Sequence, residues 1–476
     1  MSFFQTKTFK DRMAQRDKHK MNRTLGVVDL TFLGIGGIIG AGVFVLTGIA
    51  AARYAGPGVA LSFAAAGFLC ILVGLAYGEL ASMIPASGSA YAYTFASLGE
   101  GMAFFCGWSL LLAYTVTASA VAVGFSSYFS SLLDSVGLGL PHALTATLAE
   151  GGVVNLPAMV IILLLSLILI RGTKESSTLN TLLIIITLLA VVGFIVLSFP
   201  HAHWQNLHPF LPYGVSGIAS GAAIVFFSFM GFDTVATSAE ECKKPERDLP
   251  IGIVVSIFVC MLIYISVSTA LTATIPYTDL DRGDPVAYAL RAIGQDGMAG
   301  FITLGILAGL VTTLIVYIFG QSRIFFAVSR DGLLPSAICK LHPKYKTPYL
   351  TTIIGSIIIA AIAGLVPLMY IVELANTGTL IVFLVNFIGL MAMRRRYPEI
   401  KRKFRFPCIY VLAPLGILVC LYLIGALSWM TNLIFLLWTL AGFAFYYLYG
   451  VKHRCWQAVQ TTEHKAEKLS ESSTVE

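Results

Sequence analysis

Two short stretches carry residues whose types and spacing could do chemistry inside an apolar chain. The first, LGIGGIIGAGVFVLTG (Leu33–Gly48), is apolar throughout, yet six of its sixteen residues are glycine. The second, GAAIVFFSFMGFDTVATSAEE (Gly221–Glu241), is interrupted at Ser228 and Gly231 and followed at once by Asp233. Glycine in a helix interior costs about 0.5–1 kcal/mol relative to alanine, so neither stretch is written to remain one helix. A break in mid-membrane is tolerated only where it lines a cavity or packs in protein. It frees N–H groups on one half-helix and C=O groups on the other. Together these make a site for an anionic group beside a cationic one without charged side chains, and an α-amino acid zwitterion is such a ligand. Glycine at Gly40 and Gly42 would let a carboxylate approach the backbone. The competing reading is close helix packing through small residues, for which Gly36–Gly40 has the spacing. Packing glycines are expected on one face and these cover several, which favours the cavity.

The elements that position these breaks are membrane spans. Of 476 residues, 57% are hydrophobic and 12% charged, with mean hydropathy +0.84, against about 25% charged in a soluble chain. Apolar runs of about 20 residues place twelve spans near 29–52, 58–84, 101–133, 153–171, 178–199, 216–237, 250–275, 299–328, 350–368, 371–392, 409–428 and 431–450. The first 28 residues are charged and the run after them is too long for a signal core, so no cleavable leader is expected. Twelve spans put 28 of the 31 Lys and Arg on one side, leaving Arg53, Arg282 and Arg291 on the other. The positive-inside rule then sets both termini in the cytoplasm, and the net charge of +7 is topological, with no nucleic-acid partner implied. No cysteine faces the outside, so no structural disulfide is expected. His201 and His203 form an H-x-H pair near His208, but no acid or cysteine completes a metal set, and a solvated loop is the favoured reading. No zinc-protease, serine-hydrolase or phosphate-loop signature is present, so the chain reads as no enzyme, with no cofactor and no metal.

The interrupted spans are the first and the sixth. Interruptions at matching places in two halves point to a transporter built of inverted repeats. The boundaries expected are a tail at 1–28, a first five-span repeat at 29–199, a second at 200–392, two added spans at 393–450 and a tail at 451–476.

Longer strings carry a resemblance. GIGGIIGAGVFVLTG in span 1, YGELASMIPASGSAYAY from Tyr77 and RGTKESSTLN from Arg171 are joined by SFMGFDTVATSAEECKKPERDLPIGI from Ser228 and GQSRIFFAVSRDGLLP from Gly320. With these the chain resembles the amino acid–polyamine–organocation superfamily, in its cationic amino acid transporter branch. The resemblance implies an all-α membrane protein of the leucine-transporter-like fold, with substrate between spans 1 and 6. Carried over, the carboxylate would meet amides at Gly40, Ala41 and Gly42, and the amino group carbonyls near Ile38, Ile39 and Phe227. Phe232 would be an aromatic lid.

Two departures bear on substrate and coupling. Relatives often carry an acid in span 3, in a string like GWDLILEY, where this chain reads GWSLLLAY with Ser109 and Ala113 at the acidic positions. An unpaired buried charge is costly, so small neutral amino acids such as alanine stand beside arginine and lysine as candidates. Proton-coupled relatives place a span 5 lysine where Thr187 stands. Thr187, Thr312 and Thr313 could supply oxygens to sodium, although span threonines commonly bond their own helix. Uniport or exchange, proton coupling and sodium coupling stay open. The intramembrane acids Glu79 and Asp233 are candidates for a gate paired with Arg323, or for carrying a proton. The reading is an amino acid permease of the plasma membrane, surrounded by lipid; a sensor that binds an amino acid with little transport is the alternative.

Overall fold

The computed structural model describes residues 25–84, 89–171, 176–237, 242–335, 340, 342–345, 347–399 and 402–452. Lys174, Glu240, Glu241, Cys339 and Cys455, and nearly all of both tails, lie outside them. The described residues are helical almost throughout. Nine helical segments among them are long and apolar enough to cross a membrane, and Val27–Ile38, Leu156–Arg171 and Tyr349–Leu365 are shorter apolar helices. One long segment, Gly42–Met83, joins the end of span 1 to span 2 through a tight turn at Gly56–Gly58. With the long segment divided at that turn, these helices lie within a few residues of the twelve expected spans.

The helix order explains the core. Span 3, Glu100–Ser135, is buried along nearly its whole length and packs against span 8 (Asp296–Arg330) and span 10 (Leu368–Arg396). Span 2 (Val59–Met83) packs on span 7 (Pro245–Thr274), and span 4 (Leu156–Arg171) on span 9 (Tyr349–Leu365). The halves of span 1 pack on those of span 6. Each of the first four spans therefore meets the span five positions later. Spans 11 (Ile409–Ala426) and 12 (Trp429–Leu448) lie outside this core and expose most of their apolar side chains.

Several hydroxyls inside the spans are satisfied by their own helix. The hydroxyls of Thr47, Thr115 and Ser119 each donate to the carbonyl four residues back, the cheapest partner for a hydroxyl away from water. The six cysteines in the described residues are free thiols.

Candidate functional site

Span 1 breaks where the glycines predict. Val27–Ile38 ends with Ile39 in an extended conformation (φ −75°, ψ 101°), and a wider helical turn resumes at Gly42. The amides of Gly40, Ala41 and Gly42 head the second half, where first-turn N–H groups lack intrahelical acceptors. Span 6 breaks opposite. Gly214–Val225 tightens into a 3-10 turn over Phe226–Phe229, Met230 is extended, and Asp233–Thr237 resumes. Gly231 sits at φ +111°, which a residue with a side chain rarely adopts, and a Cβ there would lie 2.2 Å from the Gly37 carbonyl oxygen.

The two breaks meet backbone to backbone, which revises the argument from glycine placement. A Cβ on Gly42 would fall 2.3 Å from Ser228 Cα of span 6, one on Gly36 2.3 Å from Ile184 of span 5, and one on Gly34 2.5 Å from Ser256 of span 7. A Cβ on Gly40 would lie 3.0 Å from the Thr313 side chain of span 8. The glycines cover several faces because span 1 is surrounded, so multiple faces do not argue against packing. Packing and the break use the same residues.

The freed carbonyls are already served. The Tyr264 hydroxyl of span 7 lies 2.9 Å from the Ile38 oxygen and 2.8 Å from the Ser228 oxygen, with a single proton to donate between the two broken spans. The Thr313 hydroxyl lies 3.0 Å from the Ile39 oxygen and 3.0 Å from that of Gly309. The Phe227 carbonyl accepts from the Met230 amide at 3.1 Å. Tyr264 was missed by sequence reasoning, since one tyrosine in an apolar helix gives no signal.

Phe232 is fully buried in an aromatic cluster, its ring 5.8 Å from Tyr77 of span 2 and 5.3 Å from Phe383 of span 10. As a lid it would have to leave that cluster. Ala113 is buried against span 10, where a Cβ on Gly378 would lie 3.4 Å from its own. The residue brings a methyl group and no charge to that contact.

Thr187 and Thr312 do come together. With Ile35, Gly36, Ile39, Ile184, Leu188 and Gly309 they line a cavity of about 10 Å³ between spans 1, 5 and 8, near the lower limit for one water. Thr187 donates toward Leu183 and Gly305 carbonyls and Thr312 toward that of Ala308. Those hydroxyl oxygens retain acceptor capacity toward a cation, but the wall is otherwise apolar.

The pairing expected of Glu79 with Arg323 is corrected. Glu79, wholly buried, accepts from Arg394 Nε at 2.9 Å and from the Phe406 amide at 2.7 Å, and Arg402 Nε lies 3.2 Å away. It ties span 2 to the end of span 10 and the segment after it. The Arg323 guanidinium lies 4.0 Å over the Phe319 ring. Asp233, also buried, accepts a short hydrogen bond from the Tyr114 hydroxyl of span 3.

At the opposite end of the bundle Arg53 pairs with Asp281 at 2.9 Å. The Tyr128 hydroxyl donates to the Phe44 carbonyl at 2.6 Å, fastening the second half of span 1 to span 3. A short helix, Pro285–Ala292, packs beside that half.

The sequence comparisons decide the family. The model described as amino acid permease matches residues 25–453. The chain belongs to the amino acid permease family. This permease is 44% identical over 460 residues to the branched-chain amino acid permease BcaP of Bacillus subtilis, covering 95% of this chain and 98% of the relative. It is 42% identical to the methylthioribose transporter of the same organism, with the same coverage. It is 34% identical to the vacuolar cationic amino acid transporter 4 of Arabidopsis thaliana, over 80% of this chain and 65% of the relative. The family and these relatives are transporters, not enzymes, and the permease is a multi-pass membrane protein of the amino acid–polyamine–organocation superfamily.

Proposed function

We propose that this permease carries neutral, apolar amino acids across the plasma membrane by alternating access, holding the zwitterion at the facing breaks of spans 1 and 6. The observation that carries the reading is the backbone meeting of the two breaks, with the Ile38, Ile39 and Ser228 carbonyls gathered under the Tyr264 and Thr313 hydroxyls. An ammonium would replace those hydroxyl donors, and the carboxylate would take the amides of Gly40, Ala41 and Gly42. Backbone recognition of this kind reads the α-carbon groups and leaves the side chain to the surroundings. Phe227 would lend its carbonyl by opening its turn, and Phe232 would close from the aromatic cluster. Ala113, packed on Gly378, offers no countercharge to arginine or lysine. The relative named for branched-chain amino acids supports the neutral reading.

A second reading is favoured by the near-equal identity of the relative named for methylthioribose. That ligand has neither carboxylate nor ammonium, so it would bind through hydroxyl contacts and leave the half-helix dipoles unused.

For coupling, the reading is uniport or exchange. Thr187 offers no titratable amine, and the cavity it shares with Thr312 supplies few oxygens for sodium, which hard cations need in numbers. Thr313 serves Ile39. If a proton is carried, Asp233 beside Tyr114 is the acid placed to carry it, since Glu79 is held by two arginines. With the basic end in the cytoplasm, Glu79 would close the inner side and Arg53–Asp281 the outer.

Competition binding on the purified permease tests the site. Leucine and alanine should displace labelled leucine. Leucine methyl ester, the matching amine and methylthioribose should fail. Displacement by methylthioribose with indifference to the carboxylate would overturn the zwitterion site in favour of the second reading.

A further inference from the structure

A groove of about 640 Å³ lies at the basic end of the bundle, away from the breaks. It is lined by Ser97, Leu98, Ile388, Met391, Ala392, Arg395, Arg396 and Ile417. Its main wall is one stripe of span 10. Ile388, Met391, Ala392, Arg395 and Arg396 stand at i, i+3, i+4, i+7 and i+8, one face of a helix. The stripe is apolar over its first half and ends in two exposed arginines about 10 Å further along the axis. Arg394, next in sequence, turns to the interior and is held by Glu79, so these two arginines point elsewhere. Leu98 closes one side and Ile417 of span 11 the other. Ile388 is exposed, as are Leu415, Leu418 and Leu421 nearby on span 11, so the groove opens onto the apolar girdle.

Arginines at the end of a span are commonly explained by topology and by the helix dipole alone. Neither calls for an apolar trough leading up to them. A lateral groove with apolar walls and a cationic mouth at headgroup level has the profile of a phospholipid, acyl chain along the wall and phosphate at the guanidiniums. Basic pockets between spans on the cytoplasmic side take anionic headgroups in this way, and Arg meets phosphate bidentately.

We propose that this groove is a binding site for one anionic phospholipid, with an acyl chain against Ile388, Met391 and Ile417 and the phosphate held by Arg395 and Arg396. The lipid would bridge spans 10 and 11 beside the Glu79–Arg394 clamp.

Native mass spectrometry of the full chain in detergent, titrated with phosphatidylglycerol or phosphatidylcholine of matched chains, tests the site without requiring transport. The wild type should retain phosphatidylglycerol preferentially, by roughly fivefold per arginine, and lose the preference as salt rises. R395Q/R396Q should bind both lipids alike with an unchanged melting temperature. Ala392→Trp, which fills the trough and keeps both arginines, should lose the bound lipid. Equal retention of the two lipids by the wild type, or a preference unchanged in R395Q/R396Q, overturns the proposal. A co-purifying protein that protects the groove with no lipid retained overturns it too.

Discussion

At the scale of single residues the account rests on Tyr264 and Gly42. Tyr264 offers one proton to two carbonyls, those of Ile38 and Ser228, which lie 226 and 36 residues away in the chain. Tyr264→Phe keeps the ring and leaves both carbonyls short of a donor, a loss of about 1–3 kcal/mol for a buried group. The expected outcome is a lower melting temperature and a raised KM for uptake, with substrate restoring part of the stability. A variant with wild-type KM would remove Tyr264 from the site. At Gly42 a methyl group would meet Ser228 Cα at 2.3 Å, so Gly42→Ala must push spans 1 and 6 apart, at about 1–3 kcal/mol of overpacking. Loss of binding should therefore come with a lower melting temperature; full stability with lost binding would show that Gly42 serves the ligand alone. The breaks themselves were legible, because glycine in an apolar run has few other uses. Which neighbour each glycine meets was not, because those neighbours come from spans 5, 6, 7 and 8.

At the scale of elements, the spans could be read from hydrophobic length, while the polar ties between them could not. Glu79 finds Arg394 from 315 residues away, and no local pattern around either announces the partner. Glu79→Gln leaves two arginines facing one another without their carboxylate. It should cost about 3–5 kcal/mol and read out as a lowered melting temperature in detergent; an unchanged melt would mean the clamp opens freely. At the other end, Asp284 begins the short helix Pro285–Ala292. It accepts from the Ser131 hydroxyl at 2.6 Å and lies 3.6 Å from the Arg291 guanidinium. Burial pushes its carboxyl up, with Ser131, Arg282 and Arg291 pulling the other way. A carboxyl that holds its proton more tightly folded than unfolded contributes stability at low pH that is lost as pH rises through its folded-state value. The wild type should therefore lose more stability than Asp284→Asn as the buffer is raised from the ordinary aspartate range to neutrality. Equal losses in thermal melts would contradict the assignment.

At the scale of the molecule, the fold follows from lipid as solvent. Helices satisfy their own backbone, and the breaks of spans 1 and 6 are tolerated because they meet inside the protein. Composition and break placement made that architecture readable, together with the strings shared with known permeases. Substrate choice was less readable, because it depends on which side chains from distant spans surround the breaks, and no local pattern announces them. The most direct test of the central claim is uptake of labelled leucine into sealed vesicles containing the purified permease, with arginine, lysine and alanine as competitors. Proton and sodium gradients would be applied in turn. The account predicts saturable leucine uptake that alanine inhibits, arginine and lysine leave unchanged, and neither gradient drives. Binding without flux, or strong inhibition by arginine, would contradict it.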